Sequence, residues 1–292
     1  MLIEQLINGL TIGGMYALVA IGYTMVFGVL ELVNFAHGSV YMLGGYITLM
    51  LYLGVFDNFG IAFLISILLT ALVGYGIDFV GLRRLREKKA PKIAALISTL
   101  GMSTIIEQAV QIFFGTDAKP FPQVMDFGKV NIFGCAVKWS QIIILLIALV
   151  LMAALSLFVN CTRFGKAMQA VAQDSEAARL MGIPVKTVIT VTFMLGSALA
   201  AVAGTLVGTY YQSIDTAMGF TVGMKSLSSA VLGGVGSLPG AMLGGLLIGI
   251  IETLGAVYVS SGYRNAIAFA VLIAIILIKP NGLLGKAQTT KV

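Results

Sequence analysis

The sequence contains few of the residues that build catalytic centres. Among 292 residues there are one histidine, His37, and two cysteines, Cys135 and Cys161, which stand far apart in the chain. A G-x-x-x-x-G-K-[ST] phosphate loop is absent as well. These absences exclude the usual metal sites, nucleotide sites and nucleophilic triads. We therefore expect no enzyme, no metal and no cofactor, so that energy for any work must come from an ion gradient or another subunit.

Charged residues are also scarce, at 10% of the chain, whereas hydrophobic residues make up 59%. That leaves too little polar surface for a soluble protein of this size. Apolar runs long enough to cross about 30 Å of hydrocarbon recur along the chain. Their continuity favours helices over the short alternating strands of a membrane β-barrel. The predicted fold is an all-α, polytopic transmembrane bundle in the lipid bilayer, with residues 1–292 forming a single domain.

The apolar runs predict eight or nine spans. The first six are 5–30, 36–56, 61–82, 93–114, 140–159 and 186–211. Three further runs follow at 224–236, 240–259 and 265–278, and the last is short for a complete crossing unless its helix begins earlier. The number of crossings therefore depends on this final region.

Glycine is abundant, with 35 residues, and it interrupts two apolar segments. In 29–47 and in 220–249, polar residues at the entry are followed by Gly-Gly, and the second segment adds Gly-Ser and Pro-Gly. Such interruptions predict broken or re-entrant helices, which membranes tolerate only where protein or a water-filled cavity satisfies the backbone. Two interrupted segments, one in each half, indicate a transport pathway.

The basic residues predict the orientation. Thirteen of the 18 Lys and Arg residues fall in segments 83–92, 163–186 and 279–291. Positive residues of short loops stay cytoplasmic, so these segments should share the inner face, with the N-terminus and loop 115–139 outside. The net charge of +6 is then explained by the anionic inner leaflet and not by nucleic acid. Cys135 and Cys161 should lie at opposite faces, unpaired.

The second basic segment, RFGKAMQAVAQDSEAARLMGIPVK at 163–186, is amphipathic. Its apolar residues recur at helical spacing, and Gly182 and Pro184 are typical of a helix end. The apolar set is Ala167, Ala170, Val171, Ala178 and Met181, and the polar set is Gln173, Asp174, Glu176 and Arg179. Two interpretations remain open: a solvated helix on the cytoplasmic face, or a docking helix that inserts into a partner protein.

Several motifs carry a family resemblance. Glu176, Ala177 and Ala178, with Gly182 four residues later, are similar to the core of the loop by which ABC importer permeases engage their ATPases. Residues 9–18 (GLTIGGMYAL), 32–38 (LVNFAHG), 178–183 (ARLMGI) and 230–241 (AVLGGVGSLPGA) closely resemble the LivH-type permease of bacterial branched-chain amino acid ABC importers. The resemblance covers nearly the whole chain, in order.

This resemblance implies a set of partners. A LivH-type chain pairs with a second, LivM-type permease in the inner membrane, is driven by two cytoplasmic ATPase subunits, and receives leucine, isoleucine or valine from a periplasmic binding protein. Residues 165–182 then become the coupling helix, with Gln173, Asp174, Glu176, Ala177, Ala178, Arg179 and Gly182 as its contact residues. Urea, short amides or other small amino acids stay open as substrates, and so does a gradient-driven transporter.

Polar residues within the apolar spans are the remaining candidates, because they are costly there. The pathway or gate candidates are Asn34, His37, Glu107, Gln108, Ser228 and Glu252. For Glu107 and Glu252, structural pairing or placement at an interface is the alternative. For Asn34 the alternative is capping of the next helix, and for His37 it is a hydrogen bond between helices. Asp78 and Lys225 stand near span ends, where we expect them to snorkel to the interface.

Overall fold

The computed structural model describes residues 2–124, 128–132, 135–279 and 281–285, with only the backbone at Ile132 and Cys135. The helices in these ranges are α1 (Leu2–Leu30), α2 (Ala36–Gly54), α3 (Phe59–Gly76), α4 (Arg83–Glu87), α5 (Lys92–Phe114), α6 (Trp139–Cys161), α7 (Arg163–Gln173), α8 (Ser175–Leu180), α9 (Val185–Tyr211), α10 (Met218–Gly233), α11 (Leu238–Tyr258) and α12 (Arg264–Ile278). A π-helical turn (Ile77–Leu82) joins α3 to α4, and a 3₁₀ turn (Ser261–Tyr263) precedes α12. The all-α prediction is confirmed.

Short strands occupy one end of the bundle. Strand β1 (Lys119–Pro120) pairs antiparallel with β4 (Ser213–Ile214), and β2 (Lys129–Ile132) pairs antiparallel with β3 (Cys135–Lys138). The β1–β4 pair joins the loop after α5 to the end of α9. Asp126, which belongs to the predicted external loop, lies outside the described residues.

Seven helical segments in the described ranges are long and apolar enough to cross a membrane, against the predicted eight or nine. They are α1, Phe59–Glu87, α5, α6, α9, α11 and Ser261–Ile278. The predicted count also included α2 and α10. Helix α10 has 16 residues, or ~24 Å, which is shorter than the hydrocarbon core. Helix α2 has 19 residues but is enclosed by neighbouring helices, so that it carries glycine and polar side chains instead of a continuous apolar surface.

Small residues bring the inner helices close together. The central helix α1 packs against α9, α10 and α11, and α2 packs against α9. A Cβ atom on Gly249 would collide with the backbone of Gly13, and one on Gly204 would collide with the carbonyl oxygen of Tyr41. Close backbone approach of this kind supplies packing where lipid gives no hydrophobic driving force between helices.

Both predicted interruptions are turns between helices. The first lies between α1 and α2, where the Asn34 side-chain oxygen accepts a hydrogen bond from the Ala36 N–H at 3.2 Å. The N-cap of α2 is Phe35, so Asn34 supports the turn before the helix and is not the cap that one alternative predicted. The second lies between α10 and α11, where Gly234 and Gly236 have φ of 106° and 87° and Ser237 caps α11. Positive φ at these two positions requires glycine, which explains the Gly-rich sequence there.

The three basic segments lie at the same end of the bundle, which we call the basic end (residues 83–92, 163–186 and 279–285). Lys92 pairs with Glu31, which follows α1, and Lys186 pairs with Glu87. Residues 281–285 reach the end of α10, where the N–H of Leu283 donates to the carbonyl of Leu232 at 2.9 Å. Lys286 and Lys291 lie outside the described residues.

The placement of these segments at one end of the bundle agrees with the prediction that they share one face of the membrane. The end of α10 and the end of α1 line a common cavity, with Phe27 and Val33 facing Val231 and Val235. Cys161 ends α6 at the basic end, whereas Cys135 belongs to β3 beyond the other end of that helix. Since α6 has 23 residues, or ~34 Å, the two cysteines are too far apart for a disulfide, as predicted.

Candidate functional site

The predicted coupling helix at 165–182 is two helices, which corrects the expectation of one continuous element. Helix α7 ends at Gln173 and α8 begins at Ser175. The Asp174 carboxylate accepts hydrogen bonds from the N–H groups of Glu176 and Ala177 at 2.9 and 3.0 Å. Asp174 is therefore the N-cap of α8, which breaks the helix and explains an acidic run in an otherwise basic loop.

Most of the predicted coupling residues form an exposed surface at the basic end. Exposed are Gln173, Asp174, Glu176, Ala177, Arg179 and Gly182, whereas Ala178 is buried. Ala178 and Val171 anchor the two helices on the bundle. The predicted set thus contains one packing residue and six that a partner could reach.

Two apolar residues at the end of α8 were missed or misplaced by the sequence interpretation. Leu180 is 88% exposed and Met181, which we expected on the apolar face, is 83% exposed. Helix α8 ends at Leu180 and Met181 is its C-cap residue, so Met181 no longer follows the helical spacing read across 163–186, whereas Ala178 within the helix stays buried. Gly182, with φ of 83°, ends the segment just after them. Large apolar side chains this exposed are of the kind found at sites of interaction with another protein or with the membrane.

Four of the six pathway candidates are buried inside the chain. His37 packs against Gly22 and edge-on against the ring of Tyr23, with ring centroids 4.7 Å apart. Ser228 donates its hydroxyl to the carbonyl of Met224 at 2.8 Å. Asn34 and Glu252 are also buried. None of these four reaches the outer surface of the chain.

Glu252 is part of a buried charge cluster. The Lys225 ammonium lies 2.9 Å from a Glu252 carboxylate oxygen, and the Tyr16 hydroxyl donates to that oxygen at 3.3 Å. Arg264 approaches it at 3.7 Å. Lys225 is only 4% exposed, so the expectation that it snorkels is wrong, and the pairing alternative for Glu252 is confirmed. The cluster joins α1, α10, α11 and α12.

Asp78 is buried as well, and the expectation that it snorkels is also wrong. It lies in the π-helical turn, where Arg86 contacts one carboxylate oxygen at 2.6 Å and the Thr190 hydroxyl donates to the other at 2.6 Å. The turn holds the carboxylate inside the bundle, because two donors from α4 and α9 satisfy it there. Asp78 therefore joins the end of α3 to the start of α9.

Glu107 and Gln108 lie on an open polar face of α5. With Thr104 and Gln111 they form what we call the α5 stripe: Thr104, Glu107, Gln108 and Gln111, spaced three and four residues apart along one side of the helix. Thr104 and Gln108 are exposed, and Glu107 and Gln111 are half-buried. The stripe combines two predicted residues with two that were not in the predicted set.

Glu107 is held in place by two serines. The Ser39 hydroxyl donates to the carboxylate at 2.9 Å, and the Ser103 hydroxyl does so at 3.5 Å. Ser39 and Ser103 are themselves 2.7 Å apart. Ser39 is buried at the start of α2, so this contact fixes α5 to the core of the bundle.

The segment that leads into α10 meets one end of the α5 stripe, where the Gln111 side-chain amide donates to the Thr216 hydroxyl at 3.5 Å, and α10 itself carries an apolar surface. The start of α10 packs on the first turns of α2, where a side chain at Gly219 would press on Gly38 and Met42. Phe220, the next residue, is 69% exposed, and Met224 is half-buried one turn further on. Hydrocarbon in contact with the stripe would leave its polar groups unsatisfied. This face must therefore meet another protein or a water-filled passage.

The comparisons with known proteins agree with this arrangement. Residues 5–276 match the family model described as "Branched-chain amino acid transport system / permease component". The chain is 41% identical to the high-affinity branched-chain amino acid transport permease BraD of Pseudomonas aeruginosa, over 99% of this chain and 98% of the relative. It is 39% identical to LivH of Escherichia coli, over 99% and 97%. The chain belongs to this permease family. No solved structure matches it.

Membership in the branched-chain amino acid permease family is supported by a more distant relative. A probable LivH permease of Methanocaldococcus jannaschii is 30% identical over 92% of this chain and 88% of the relative. The family resemblance predicted from the motifs is confirmed. A permease component of a transport system is also consistent with the expectation that the chain is not an enzyme.

Proposed function

We propose that this chain is a permease subunit of an ABC importer and forms part of the translocation pathway for leucine, isoleucine and valine across the inner membrane. The family supports the transport role, and the named activity of BraD and LivH supports the substrate class. The proposal of a translocation pathway rests on the α5 stripe, because the carboxylate and amides of this stripe lie on an open face of a membrane-spanning helix.

The arrangement of partners follows from the two ends of the bundle. A second, LivM-type permease covers the α5 stripe and the apolar surface of α10, so that the passage runs between the two permeases. The positive-inside rule assigns the basic end to the cytoplasm. Two ATPase subunits dock there on α7 and α8, and a periplasmic binding protein delivers substrate at the opposite end.

The alternatives left open by the sequence are less well supported by these contacts. A gradient-driven transporter needs carboxylates that can release and bind ions, yet two of the three carboxylates named inside the bundle are held in ion pairs, Asp78 with Arg86 and Glu252 with Lys225. Urea and short amides lack an aliphatic side chain, whereas Phe220 and Met224 give α10 an apolar surface. This apolar surface favours a branched-chain amino acid.

Uptake by the reconstituted system tests this function. The chain would be assembled in proteoliposomes with its partner permease and ATPases, and supplied with its binding protein. We expect ATP to drive accumulation of radiolabelled leucine, isoleucine and valine but not of urea or acetamide. Uptake of leucine that ignores ATP and follows an imposed ion gradient would contradict the ABC mechanism. ATP-driven uptake of urea would contradict the substrate class.

A further inference from the structure

Glu107 differs from the other carboxylates inside the bundle in the partners that it has. Asp78 pairs with Arg86 at 2.6 Å, and Glu252 pairs with Lys225 at 2.9 Å. Among the residues described by the structure, the ion pairs do not include Glu107. A carboxylate within a membrane span is costly without a cation, so a cation from outside the chain is expected to complete this site.

Glu107 lies deep within the membrane span, on the proposed translocation route, and not at the membrane surface. It lies 15 residues after Lys92 at the basic end, or ~22 Å along α5, and about 10 Å before Phe114 at the other end. A snorkelling lysine from a surface loop would not reach this depth easily. The cation must therefore come from within the membrane assembly or from the molecule that passes through it.

The two serines leave one oxygen of the Glu107 carboxylate for a further hydrogen-bond donor. Both hydroxyl contacts end on the same carboxylate oxygen, Oε1. In the described residues, no hydrogen bond to the second oxygen, Oε2, accompanies them. The carboxylate is half-buried, so this oxygen can be reached from the open face of α5. A fixed, negatively charged acceptor on an open polar face suits a compact N–H donor such as a primary ammonium group.

We propose that Glu107 binds the α-ammonium group of the amino acid as it passes, and that it thereby selects substrates that carry a primary amine. This inference rests on the proposed transport function. In this proposal the aliphatic side chain of the substrate would meet the apolar surface that Phe220 and Met224 form on α10. The site is open and has one charge, which gives weak binding that lets the substrate leave.

Conservative variants of Glu107 in the reconstituted importer test the proposal. Glu107→Gln keeps the size and an acceptor for Ser39 but removes the charge, whereas Glu107→Asp keeps the charge. The control is Glu31→Gln, which neutralises an exposed carboxylate at the basic end. Leucine uptake and ATP hydrolysis would be measured per purified complex, in sodium and in choline buffers.

We expect Glu107→Gln to lower leucine imported per ATP hydrolysed by about 10- to 100-fold, the range for loss of one charge-assisted hydrogen bond. Glu107→Asp should retain most of the coupling, and Glu31→Gln should match the wild type. In every variant the uptake should be independent of sodium.

Three results would overturn the proposal while leaving the transport function intact. The first is a Gln variant that imports leucine at the wild-type ratio to ATP. The second is wild-type uptake that needs sodium and loses this need in the Gln variant, which would assign the site to a metal cation. The third is a Gln variant that no longer holds the partner permease, which would assign the cation to that subunit. A wild-type complex that imports no leucine would refute the transport function itself.

Discussion

Replacing both Leu180 and Met181 with aspartate is expected to abolish association of the permease with its ATPase subunits. These side chains are among the most exposed large apolar groups of the chain, and they stand at the end of α8, at the basic end. If a groove of the ATPase buries them, each contributes about 1.5–3 kcal/mol. Their joint loss then weakens binding by about 100- to 10,000-fold, which copurification and titration of the purified ATPase would measure.

The control for this variant is Thr187→Asp, an exposed position in the first turn of α9 where an acidic residue suits the helix N-terminus. It adds negative charge to the same end without removing an apolar contact, so binding should stay near the wild-type value. If Leu180 and Met181 variants bind the ATPase as well as wild type, α8 is not the docking element. Equal losses in the control would indicate a general effect of charge instead.

Replacing Lys225 with methionine is expected to lower the free energy of unfolding by about 3–5 kcal/mol, because Glu252 would keep its charge in a buried site without its closest cation. Both side chains are almost completely buried, and the remaining contacts of Glu252 are the Tyr16 hydroxyl and the more distant Arg264. Unfolding in mixed micelles with increasing SDS would measure the loss.

Two controls distinguish pairing from general damage. The double variant Lys225→Met with Glu252→Leu removes both charges and should recover most of the lost stability. The pair of Lys92 and Glu31 has similar geometry at 2.6 Å, but its side chains are 67% and 65% exposed. Lys92→Met should therefore cost less than about 1 kcal/mol. An equal cost for Lys92→Met and Lys225→Met would refute the role of burial.

The sequence predicted the helices well because long apolar runs have few alternatives to a membrane-spanning helix. The start of α2 at Ala36 and the end of α1 at Leu30 agree with the predicted bounds. Asn34 and the glycines at 234 and 236 also act locally, through a side-chain hydrogen bond to the backbone two residues on and through positive φ. Features decided by a few neighbouring residues can therefore be predicted from the sequence alone.

Features decided by contacts between distant residues cannot be predicted in this way. Lys225 and Glu252 are 27 residues apart, and only the α10–α11 hairpin brings them together. Ser39 and Glu107 are 68 residues apart, so neither segment by itself reveals the support for the α5 stripe. The exposure of Met181 follows the end of α8 at Leu180, which helical spacing alone does not reveal.

Accessibility of the α5 stripe to water in the assembled importer tests the central claim, that this face lines the passage. With Cys135 and Cys161 replaced by serine, single cysteines would be placed at Thr104 and Gln108, and at Leu146 on the exposed side of α6 as a lipid-facing control. A charged, membrane-impermeant thiol reagent would then be added to proteoliposomes. We predict rapid modification at Thr104 and Gln108, slowed by leucine with its binding protein, and slow modification at Leu146. Modification of all three positions at the same slow rate would contradict the pathway.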